Sequence, residues 1–98
     1  MRSIPVLLAV ALLAACATID ASRSLVAAEV ALEGARAAGA EKQAPYEYTS
    51  ADLYLQQARE ENGQGRYGAA VEHAQQAARL ADQAKAKATG AAPRPEGK

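Results

Sequence analysis

The sequence predicts an all-α protein: a small antiparallel bundle or hairpin of about three helices that follows an N-terminal export segment. Three observations predict it. Half of the residues are hydrophobic, yet Phe and Trp are absent, and most of that half is alanine, the strongest helix former. Apolar positions recur at steps of three and four, which places them on one helix face. Connections between the periodic segments are short and favour antiparallel neighbours. A single long bent hairpin, or an oligomeric alanine-seam coil, fits the same pattern.

Composition bounds the rest. Ninety-eight residues allow one small domain. Buried alanine removes little apolar surface from water, so the core is thin, and the domain needs modest stability to suffice or help from self-association. Eleven basic and eleven acidic residues cancel, which argues against nucleic acid or an anionic membrane as the main partner. The one cysteine, Cys16, cannot form an internal disulfide.

The first element is a leader over residues 1–15. Arg2 and the amino terminus form a positive n-region, and Ile4 to Leu13 form an apolar h-region. A membrane-spanning helix needs roughly 20 apolar residues, so this run is short for a permanent span. Leu13-Ala14-Ala15-Cys16 resembles the lipobox of bacterial prolipoproteins: an aliphatic residue, two small ones, and the obligatory cysteine. The resemblance implies diacylglycerol on the Cys16 thiol, cleavage between Ala15 and Cys16, and acylation of the new amino group by a fatty acid such as palmitate. Two or three acyl chains hold a protein stably on a bilayer, whereas one is marginal. By the sorting rule of enteric bacteria, Ala17 in place of Asp implies the outer membrane, facing the periplasm.

A lipidated tether is expected over 16–20, a helical domain over 21–88 and a disordered tail over 89–98. The first helix runs from about Ala21 to Ala38, with Leu25, Ala28, Leu32, Ala35 and Gly39 on one face and Asp20 or Ser22 as cap. Gly34 inside it costs roughly 1 kcal/mol relative to alanine unless it permits close packing. Pro45 breaks the pattern and marks a connector. The second helix starts at Thr49, with Asp52 completing a capping-box variant and Tyr48 and Leu53 as a hydrophobic staple. Ala51, Tyr54, Leu55 and Ala58 form its apolar face, and Asn62-Gly63-Gln64-Gly65 ends it. The third helix carries an unbroken seam of Tyr67, Ala70, Ala74, Ala77, Ala81, Ala84 and Ala88, able to let another helix approach closely. Thr89 to Lys98 reads as a flexible tail.

Ala58, Gly65-Arg66-Tyr67-Gly68-Ala69-Ala70, Ala74 and Ala77 together resemble one tetratricopeptide hairpin. A single copy cannot bury a repeat core, so an array is excluded. A wider resemblance covers nearly the whole chain beyond Cys16. Gly39-Ala40, Ala44-Pro45, the Ala51/Leu55/Ala58 face and the Ala70/Ala74/Ala77 helix are similar to the alanine-rich lipoproteins of domain-of-unknown-function family 4398. That family implies no activity.

No catalytic constellation, metal site or cofactor is expected. His73 reads as a solvated helix residue. Adjacent Glu60 and Glu61 point about 100° apart and read as a solvated face. Gly63-Gln64-Gly65 lacks the residues of a phosphate loop. Tyr46, Tyr48, Tyr54 and Tyr67 read as bulk filling the helix junctions. Lys85 and Lys87 complement the dipole at the helix end. The function these readings favour is that of an outer-membrane lipoprotein, held to the bilayer through acylated Cys16. It would have a structural or protein-interaction role, toward another envelope protein or itself, and would not be an enzyme. Two alternatives stand beside it. The terminal Lys98 and the alanine-rich helix resemble the major murein lipoprotein, whose last lysine joins peptidoglycan. The tyrosines could instead serve a periplasmic ligand or glycan binder.

Overall fold

The computed structural model describes residues 3–90. It consists of α1 (Ser3–Ala37), α2 (Ala40–Gln43), α3 (Pro45–Gly63) and α4 (Tyr67–Ala88), and the described residues contain no strand. The all-α class is as the sequence predicts. Three long helices do the packing, and α2 is a single extra turn.

Helix α1 starts at Ser3 instead of near Ala21, so the segment 16–20 read as a tether is helical here. The reason is local. From Val6 to Glu33 the chain holds neither proline nor glycine, so nothing interrupts the backbone ladder, and Pro5 lies in the first turn where it is tolerated. The described side chains from Ile4 to Leu13 are all exposed, and burial begins only at Ala21. By length and composition α1 could cross a membrane, a property that a signal sequence near the N-terminus shares.

Two turns set the bundle. At the end of α1, Gly39 takes φ +86°, a left-handed conformation that glycine adopts without strain, and α2 begins at once. Between α3 and α4, Gly65 takes φ +80° while its N–H donates to the Asn62 carbonyl and the Arg66 N–H donates to the Glu61 carbonyl. That hydrogen-bond pair is a Schellman motif, and it explains the glycine-rich segment at residues 63–65 as a helix stop.

The start of α3 corrects the expected cap. The helix begins at Pro45, with Ala44 as N-cap and no side-chain capping bond, so Thr49 lies one turn inside it. Proline suits the first helical position because its fixed φ is already helical and its missing N–H would be unpaired there anyway. The staple fails with the cap: Tyr48 is half-buried, but Leu53 is exposed.

The core lies where three faces meet. One cluster joins Leu25 and Ala28 of α1 to Leu55 and Ala58 of α3 and to Ala74 and Ala77 of α4. A second joins Ala35 of α1, Ala40, Ala44, Ala51 of α3, and Ala81 and Ala84 of α4. Residue numbers rise along α1 and α4 and fall along α3 between the two clusters, so α3 runs antiparallel to both neighbours. Of the fourteen buried hydrophobic residues among the described ones, twelve are alanine and two are leucine. Helices therefore come close together over a core that buries little apolar surface per residue.

Candidate functional site

The tetrad at residues 13–16 that resembles a lipobox lies on α1. Leu13, Ala15 and Cys16 are exposed, and the Cys16 thiol is free.

The seam of α4 has a different fate. Ala70, Ala74, Ala77, Ala81 and Ala84 are all buried, Tyr67 is half-buried, and the helices that cover the seam are α1 and α3 of the same chain. The close approach that small residues permit is used internally. Any partner of this protein meets another surface.

The structure brings together one polar cluster that the sequence reading leaves apart. Glu61 is the buried charged residue of the described chain, its side chain only 7% exposed. Its Oε1 lies 2.6 Å from Nδ1 of His73 on α4, and its Oε2 accepts a hydrogen bond from Gln57 Nε2 at 3.2 Å. Tyr54 stacks on the His73 ring with centroids 5.8 Å apart. Thus His73 is not a freely solvated residue, and Glu61 does not share a solvated face with Glu60, which stays exposed. The signal was present in the spacing: Ala51, Leu55, Ala58 and Glu61 continue one face in steps of four, three and three. A carboxylate on that face must find a partner, because an unpaired buried charge is strongly destabilising.

The His73 hydrogen bond, and after it the one from Gln57, holds the Glu61 carboxyl below its ordinary value of 4.5 against the opposing effect of burial. A carboxylate depressed in the folded chain contributes stability that is fully present above its unfolded pKa and is lost as pH falls through the folded value. Glu61→Gln should therefore lower Tm at pH 7, and the gap from wild type should shrink as pH falls below about 4.5. Thermal melts of both proteins across that range check this. A gap that is constant with pH would mean that the carboxylate carries no linkage.

The remaining candidates are dispersed. Tyr46 is 75% exposed and Tyr54 is 38% exposed, while Tyr48 and Tyr67 are half-buried. Only part of the tyrosine set therefore fills the helix junctions, and burial pushes the Tyr48 phenol up. Lys87 reaches across to Glu47 of α3 at 3.2 Å, so it has a partner beyond the helix dipole. Glu47 is held below its usual range by its own backbone N–H near the start of α3 and further by Lys87. A hollow of about 280 Å³ is lined by Leu53, Tyr54, Gln57 and His73. Between α1 and α3 a larger groove carries the Glu29–Arg59 and Glu33–Arg36 ion pairs. No group of three or more metal-type ligands occurs among the described residues. Lys98 and most of the expected tail, residues 91–98, lie outside them.

The fold and these sites define an alanine-cored three-helix unit with an exposed apolar N-terminal helix. The family model described as "Domain of unknown function (DUF4398)" matches residues 23–94, and the chain belongs to that family. The match begins seven residues beyond Cys16 and takes in both core clusters. No curated protein and no solved structure matches the chain.

Proposed function

We propose that this protein is a lipid-anchored component of the bacterial cell envelope. On this reading Cys16 carries the acyl chains, and the helical unit serves as a structural or protein-interaction module on the periplasmic side of the outer membrane. One observation carries the reading: a tetrad that resembles a lipobox, ending in an exposed free cysteine, lies on the apolar N-terminal helix seven residues before the family module begins. The described side chains from Ile4 to Leu13 are exposed and contribute nothing to the core. A leader that is removed need contribute nothing. Three ion pairs, Arg59–Glu29, His73–Glu61 and Lys87–Glu47, tie its helices to one another, which supports a structural or interaction module.

Intact mass spectrometry of membrane-fraction protein tests it. The expected result is a chain that begins at Cys16 with added acyl mass, and loss of both processing and membrane retention in Cys16→Ser. A soluble, unacylated chain cut elsewhere would overturn the anchor, and the envelope role with it.

A further inference from the structure

We propose that the groove between α1 and α4 docks a second copy of this chain. The arrangement is a two-fold, antiparallel one that sets Asp82 of each copy against Lys85 of the other. The inference rests on reading the helical unit as an interaction module and is independent of lipidation.

The groove measures about 460 Å³, and Ala27, Ala31, Gly34 and Ala78 are among its lining residues. Val30, which also lines it, is 67% exposed, and Val26, one turn earlier on α1, is 56% exposed. The groove between α1 and α3 differs, because its charges are already paired with each other. The hollow between α3 and α4 is smaller and lined largely by polar side chains.

Gly34 supplies an independent argument. It lies inside a helix, where glycine costs about 1 kcal/mol relative to alanine. A Cβ at this position would meet nothing nearer than Lys85 Nζ at 3.9 Å, an ordinary contact. Packing within the chain therefore does not require glycine here. A helix approaching from outside would use the bare backbone.

Charge identifies the occupant. Asp82 and Lys85 line the groove, are exposed, and make no ion pair with each other or with any other described residue. They lie three residues apart on one face of α4 and carry opposite charges. In an isologous contact the same patch meets itself, so an antiparallel apposition pairs each Asp82 with a Lys85. Like-charge juxtapositions are avoided, which sets the direction of docking. A core of mostly alanine gives a second copy something to contribute, since it covers apolar surface that the single chain leaves in water.

Native mass spectrometry of the full chain, released from membranes in mild detergent, reads subunit number and acyl mass in one spectrum. Wild type should be a dimer. Gly34→Leu, which improves helix propensity and whose Cβ would make only an ordinary contact with Lys85 Nζ, should give monomer. Lys85→Asp should give monomer as well, raising the dimer dissociation constant at least about tenfold. The double variant Asp82→Lys/Lys85→Asp restores opposite charges and should recover the dimer. A monomeric wild type, or a dimer indifferent to both single variants, would overturn the inference. An acylated monomer sinks this inference and leaves the lipoprotein reading standing, while an unacylated dimer does the reverse.

Discussion

Ala77→Glu is expected to unfold the three-helix unit. Ala77 is 1% exposed and sits in the cluster that joins all three long helices, opposite Leu25 and Leu55. A carboxylate there has no room and no basic group in its cluster. An unpaired buried charge costs several kcal/mol. A unit of roughly 70 residues has only about 4–10 kcal/mol of stability in total. The variant should lose most of its helical circular dichroism at 25 °C and remain unfolded as a monomer. Gln75→Glu, two residues away and exposed, should stay within about 0.5 kcal/mol of wild type. Equal melting of Ala77→Glu and wild type would show that the seam is not the core.

Leu55→Ala carries the second-largest expected effect. Leu55 is the largest fully buried side chain, and it fills the space between α1 and α4 in a core otherwise made mainly of methyl groups. Truncating a buried leucine costs about 2–5 kcal/mol, because the transfer free energy is lost and the surroundings close the cavity only in part. Alanine neighbours have no side chain that could swing into the gap, which places this site toward the upper end. Tm should fall by at least about 10 °C in a domain of this size. Leu53→Ala, on the exposed side of the same helix, should change Tm far less. Comparable losses at the two positions would mean that the face of α3 is misassigned.

The two variants also separate the roles of the α4 seam. An alanine stripe at heptad-like spacing is legible in the sequence because each turn must return the same face to the same neighbour. What covers it is not legible, since periodicity describes one helix and says nothing of its partner. The structure places α1 and α3 of the same chain there. A different face, the groove that holds Gly34, is left open.

The start of α3 shows a second limit. Two local signals compete, Thr49 with Asp52 for a capping box and Pro45 for a first helical position. Either satisfies the rules of helix initiation. Packing decides between them: Ala40 and Ala44 are both fully buried against Ala51, Ala81 and Ala84. A helix that begins at Pro45 turns straight out of that contact. The Glu61–His73 pair shows a third limit, because its members lie on different helices and meet only once the register of α3 on α4 is set.

The all-α class, the faces that pack, the glycine stops at Gly39 and Gly65, and an apolar N-terminal run distinct in composition from the alanine-rich unit are all legible in the sequence. All of these depend on residues within a turn or two of one another. Tertiary structure alone decided which helices fill the seam, where α3 begins, that Glu61 is buried against His73, and which groove remains uncovered. The physical reason is the same in each case. Local chemistry states what a helix face prefers to touch, whereas the register between helices, set by the packing of a few leucines among many alanines, decides what it does touch.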